Sequence, residues 1–107
     1  MSDRALGLLG LAARAGALTV GTGATRAGLQ RRDVRVVVVA GDRSRRTEEK
    51  VERLARGTAV PVVIGPDAEA LGARIGRGAV QAVGIMDPGF AEGILATGSG
   101  RVAGGVL

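Results

Sequence analysis

The chain has no cysteine, no histidine, no tryptophan and no tyrosine, and Phe90 is its only aromatic residue. Without Cys there is neither a disulfide framework nor a thiolate nucleophile. Without His, a His-bearing metal cluster and a Ser-His pair are both excluded. Lysine is nearly missing too, since Lys50 is the single Lys among 15 basic residues and the rest are Arg. Catalysis would have to rest on carboxylates, hydroxyls, arginines and one lysine. No stretch approaches the roughly 20 apolar residues of a membrane span. The segment from Leu6 to Ala17 is interrupted by Arg14 and lacks the basic leader and cleavage pattern of a signal peptide. A cytoplasmic protein is the expectation.

What is present fits one ordinary domain: 107 residues, 46% of them hydrophobic, enough to bury a core but too few for two domains. The net charge is +5 and unevenly spread. Residues 1–57 carry 12 basic and 6 acidic side chains, whereas residues 58–107 carry 3 and 4. A polyanion is the natural partner for such a chain, and its first half should hold the binding face. The blander alternative is a genome-wide composition bias on a solvated surface.

The pattern along the chain alternates helix and strand. Ser2 caps a first helix to about Ala15, with Leu8, Leu11, Ala12 and Ala15 on one face and Gly16 as its stop. Leu18 to Val20 make a short strand, after which Thr22 is expected to cap a second helix from Gly23 to about Arg31. Val34 to Ala40 is β-branched and almost continuous, which predicts a central strand buried on both faces. Ser44 caps a third helix, with Thr47, Val51, Leu54 and Ala55 inward, ion pairs Glu49/Arg53 and Glu52/Arg56 outward, and Gly57 at its end. A strand at Val60 to Ile64 with Pro61 near its start or on an edge, a helix from Asp67 to Ile75 and a strand from Val80 to Met86 follow. Asp87-Pro88 then opens a last helix that turns Phe90, Ile94 and Leu95 inward. The fold class expected is α/β: a three-layer α/β/α sandwich around a small mixed sheet of four strands. Residues 1–97 form the single domain, and residues 98–107 a Gly-rich tail or a short extra strand.

Three segments carry chemistry. Gly21, Thr22, Gly23 and Ala24 join a strand to a helix and offer unpaired amides at the positive end of a helix dipole, which suits a phosphate. A dinucleotide loop fails on spacing, because G-x-G-x-x-G needs Gly at position 26, where Arg26 stands, and no P-loop pattern occurs. The alternative is a plain tight turn. Asp42, Arg43, Ser44, Arg45 and Arg46 follow the central strand, and three arginines at a helix start are opposed by the dipole unless an anion lies nearby. A solvated turn partly neutralised by Glu48 and Glu49 is the competing reading. Ile75, Gly76, Arg77, Gly78 and Ala79 join a helix to a strand; their glycines permit close approach to a ligand, or simply make a turn. The first two loops follow strands and can share one end of the sheet, where α/β folds place ligands.

Six motifs in order resemble the bacterial, YlxQ-like branch of the L-seven-Ae ribosomal protein family. They are LGLAARAGALTVG ending at Gly21, VVVVAGD at Val36 to Asp42, the S-x-x-T-x-x-K-V run from Ser44, VPVV at Val60 to Val63, LGARIGR at Leu71 to Arg77, and VGIMDPGFAEGI at Val83 to Ile94. The resemblance spans residues 4 to about 96 and implies the same α/β/α sandwich and RNA binding, often at kink-turns. It implies an RNA-contacting turn at Gly21, Thr22, Gly23 and Ala24, a second contact loop around Asp42 to Ser44, and a hydrophobic specificity loop at Ile75 to Ala79. Where kink-turn binders commonly carry Asn-Glu and then a Lys, this chain has Gly23, Ala24 and Ala27. The resemblance therefore supports RNA binding more firmly than kink-turn specificity, with Arg26 able to replace a phosphate contact but not base readout.

The expected partner is structured RNA, ribosomal or otherwise kink-turn-like, with the ribosome behind it; no cofactor and no catalysis are expected. Arg26, Arg43, Arg45, Arg46 and Arg77 would meet phosphates, and Ile75 and Ala79 an extruded base. The lack of aromatic platforms favours shape recognition over base stacking. Two other classes stay open. An enzyme would need a carboxylate pair in a pocket, yet Asp42, Asp67 and Asp87 each read as loop or cap residues. A protein-interaction or homodimerising module of the translation apparatus would show an exposed apolar patch.

Overall fold

Val36 to Val39 form the middle of the molecule, and all four are fully buried. Alternation along a strand sends Val36 and Val38 into one core with Val63, Val83 and Ile85, and Val37 and Val39 into a second with Val62 and Ala82. A strand buried on both faces needs a helical layer on each. In the computed structural model, which describes residues 1–97, the chain runs α1 (Asp3–Arg14), β1 (Leu18–Val20), α2 (Thr22–Gln30), β2 (Val36–Val39) and α3 (Arg45–Thr47). A π-helical stretch (Glu48–Glu52) leads into α4 (Arg53–Gly57), followed by β3 (Val62–Ile64), α5 (Ala68–Arg74), β4 (Ala82–Ile85) and α6 (Pro88–Ala96). The first core is closed by α1, α5 and α6, and the second by α2 and the helical rod over residues 45–57. The expected Gly-rich tail, residues 98–107, lies outside the described residues.

The sheet order is β1-β4-β2-β3, with β4 antiparallel to both neighbours and β2 parallel to β3. The expected mixed four-stranded α/β/α sandwich is the observed one. Pro61 immediately precedes the edge strand β3, where its missing donor is harmless, and its carbonyl accepts from Val37 N–H. Four helix starts follow the expected capping chemistry: Ser2, Ser44, Asp67 and Asp87 accept from the amides of Ala5, Thr47, Ala70 and Phe90.

Three local expectations are corrected. In α1 the buried stripe is Ala5, Leu9 and Ala12, while Leu8 packs at the margin and Leu11 is 47% exposed; consecutive leucines at 8 and 9 allow either stripe, and packing on the sheet and α6 selects Leu9. Thr22 does not cap α2, because Gly21 takes the N-cap place with φ of +95°, and Thr22 turns its hydroxyl to Thr47 instead. Glu52 does not reach Arg56. It is buried against Arg43, because the π-helical widening between residues 48 and 52 rotates its side chain inward.

Candidate functional site

Because β4 is antiparallel to both β1 and β2, the chain leaves β1 and β2, and enters β4, at one end of the sheet. The three chemistry-bearing loops therefore meet there. Backbone bonds fasten them: Gly21 N–H donates to the Ala82 carbonyl (2.8 Å) and Ala40 N–H to the Gln81 carbonyl (2.9 Å). A side-chain network adds to this. Gln81 Oε1 accepts from Ser44 N–H (2.9 Å) and from the Thr47 hydroxyl (2.8 Å). Thr47 has one proton and gives it to Gln81, so the Thr22 hydroxyl, 3.1 Å away, is the donor to Thr47 Oγ1. One chain of hydrogen bonds thus sets the spacing between the starts of α2, α3 and β4.

The start of α2 is electrostatically open. Its first i→i−4 bond runs from Thr25 N–H to the Gly21 carbonyl (3.0 Å), which leaves the amides of Thr22, Gly23 and Ala24 ahead of it. No side chain caps them and no acid occupies the first turn. Gly23 and Ala24 are exposed, and a Cβ built on Gly23 would meet nothing within 4 Å. Buried Thr25 seats the helix by a hydroxyl contact to Thr19 (3.0 Å), whose oxygen also accepts from Gly84 N–H.

Beside this turn, a hollow of about 280 Å³ runs between α2 and the helical rod, lined by Thr22, Gly23, Arg26, Gln30, Arg46 and Lys50 among others. Arg26, Arg45, Arg46 and Lys50 are exposed, and among the described residues none of them forms an ion pair. Lys50 escapes sequence reasoning because its approach to Arg26 is a tertiary fact. Its position one turn after Arg46 was the available signal.

The remaining members of the second segment face elsewhere. Arg43 is 15% exposed and grips buried Glu52 through two bonds, Nε to Oε2 (2.6 Å) and Nη2 to Oε1 (3.0 Å), with Glu48 3.6 Å away. The hydrogen bonds to Glu52 raise the guanidinium pKa above its usual value, against the opposing pull of burial, with the charges of Glu52 and Glu48 adding to the rise. Asp42 accepts from Ala68 N–H (2.8 Å) and so anchors the start of α5. Together with Asp67 and Asp87 on their helix starts, it leaves each of the three candidate acids bonded to a backbone amide.

The third segment borders the same end. Arg77, Gly78 and Ala79 are exposed, while Ile75 is partly buried against the first core. Gly72 is obligatory here, because a Cβ on it would run into the Gly78 carbonyl, so α5 and the loop are in direct backbone contact. A cavity of about 430 Å³ between α1 and α5 shares Ile75 with this loop but lies on the flank and holds none of the loop-end hydroxyls. Among the described residues no cluster of acids is placed to hold a metal ion, no helix is long and apolar enough to cross a membrane, and Leu11 is the one large exposed hydrophobic side chain.

Comparison with known proteins gives a consistent picture. The profile described as the Ribosomal protein L7Ae/L30e/S12e/Gadd45 family matches residues 3–94. A solved protein of unknown function from Bacillus halodurans C is 29% identical, with a TM-score of 0.84 over 89% of this chain and 96% of that one. The Giardia lamblia 15.5kD RNA binding protein shares the fold at 18% identity, with a TM-score of 0.72 over 90% of this chain and 92% of that one. No curated protein matches.

Proposed function

Since the chain belongs to the Ribosomal protein L7Ae/L30e/S12e/Gadd45 family, we propose that it is a non-catalytic protein that binds structured RNA at the loop end of its sheet. The observation that carries this reading is the convergence there of uncapped amides at Thr22, Gly23 and Ala24 with the exposed charges of Arg26, Arg45, Arg46 and Lys50. Amides at a helix N-terminus and a fringe of cations suit two successive phosphates of a sharply bent strand. Arg77 extends the positive border, and Ile75 with Ala79 offers a small apolar surface to a base that has left its stack. The RNA-binding description of the Giardia protein agrees with the reading, as do the ribosomal members for which the family is named. Within the site named from sequence, Arg43 and Asp42 act from behind, as supports of the loop rather than as phosphate ligands.

Binding follows RNA shape more than sequence at the α2 turn, because Gly23, Ala24 and Ala27 bring no side-chain donors or acceptors. A kink-turn is therefore preferred to a plain duplex by a modest factor. Titrating both RNAs over a range of salt concentrations tests the proposal. Four to five phosphate contacts predict a log-log slope of about −3 to −5. A flat salt response, or kink-turn binding that collapses when its G·A pairs are replaced, would refute it.

A further inference from the structure

Gln81 stands at the centre of the loop end, its backbone carbonyl held by Ala40 N–H and its neighbour Ala82 bonded to Gly21. Two donors converge on its side-chain oxygen, the Ser44 backbone amide and the Thr47 hydroxyl. A backbone amide can only donate, so this position must be the Oε1 end of the carboxamide, and Nε2 must point the other way. Nε2 has no partner among the described residues. Among them no buried side-chain nitrogen or oxygen is left without one, so Nε2 reaches solvent. It is a donor pair with its orientation already fixed, flanked by Ser44 and by the loop that ends at Ala79.

We propose that Gln81 is a specificity-determining residue, whose Nε2 donates to a base edge made of acceptors only. Among the bases only guanine presents two such acceptors side by side, O6 and N7, whereas uracil presents the single acceptor O4 and adenine and cytosine an exocyclic amino donor there. This rests on the RNA-binding reading above and adds a base preference that the featureless Gly23, Ala24 and Ala27 do not provide. Pre-orientation by two bonds means that little side-chain freedom is lost on contact. Ser44 and Thr47 are positioning residues in this scheme, acting through Gln81.

The test is a selection from RNA hairpins with a randomised loop, run on the full chain and on Gln81→Glu. The carboxylate keeps both acceptor roles toward Ser44 and Thr47 but replaces the donor by an acceptor. The parent should enrich guanine at one loop position. Gln81→Glu should bind the parent's selected RNA about tenfold more weakly and should enrich cytosine or adenine at that same position, which general charge repulsion would not do. A second readout needs no variant: replacing the selected guanine by 7-deazaguanine, which lacks N7, should weaken binding to the parent. Guanine enriched equally by both proteins, the absence of any base preference in the parent, or indifference to 7-deazaguanine would each overturn the role of Gln81 while leaving RNA binding intact. If the parent enriches no RNA at all, the RNA-binding reading falls and this inference with it.

Discussion

Arg43→Met removes the one ion-pair partner that Glu52, whose side chain is 5% exposed, has among the described residues. Two charge-assisted bonds to Glu52 are lost, and the methionine cannot replace them. Breaking a buried pair on one side leaves an uncompensated charge and typically costs about 3–5 kcal/mol, a large part of the roughly 5–15 kcal/mol that holds a domain of this size. With a urea slope of about 1–3 kcal/mol/M, the unfolding midpoint should fall by at least about 1 M. Adding Glu52→Leu removes the orphaned charge and should recover most of the loss, since apolar replacement of a buried pair is often near neutral. The double variant should also retain RNA affinity to within a few-fold, because the Arg43 guanidinium faces Glu52 and not the solvent. Urea titrations of parent, single and double variants, each followed by an RNA titration, decide the matter. An Arg43→Met protein as stable as the parent, or a stable double variant that no longer binds RNA, would return Arg43 to the phosphate-binding set.

Gly23→Asp should abolish RNA binding without loss of stability, since its Cβ enters open space and a carboxylate suits a helix N-terminus while repelling phosphate; equal RNA affinity in a low-salt titration would show that the turn is only a turn. Gly21→Ala should lower the thermal midpoint, because φ of +95° is strained for any residue with a Cβ, at about 1–3 kcal/mol, and circular dichroism reads the shift. Gly72→Ala should cost a comparable amount and displace the loop around Gly78, at about 1–3 kcal/mol for overpacking against backbone; unchanged thermal unfolding would contradict the close contact.

What was legible in the sequence was local. The run Val36–Val39 can satisfy its burial only at the centre of a sheet covered on both sides, and Ser2, Ser44, Asp67 and Asp87 bond amides three residues ahead, a contact that spacing alone defines. From alternating elements and these caps the sandwich and its mixed sheet followed, and so did the sharing of one sheet end by the first two loops; the antiparallel direction of β4, which brings the third loop there, is a property of the fold. What stayed hidden depended on partners distant in the chain. Arg43 reads as one more arginine in a basic cluster until a π-helical widening turns Glu52 toward it. Gly21 and Thr22 divide the N-terminal roles of α2 by a backbone angle and by a hydroxyl partner 25 residues away, neither of which residue type reveals. Gln81 had no motif around it at all. Its part in the site comes from the Ser44 amide 37 residues away along the chain.

Where the RNA lies on the protein is read from the backbone ¹H–¹⁵N spectrum of the protein titrated with kink-turn RNA. Perturbed amides should cluster at Gly21–Arg26, Ser44–Lys50 and Ile75–Gln81, with the Thr22, Gly23 and Ala24 amides moving most. Perturbations centred on the opposite end of the sheet, at Arg31–Arg35 and Thr58–Val60, with Gly23 and Ala24 unmoved, would contradict that location.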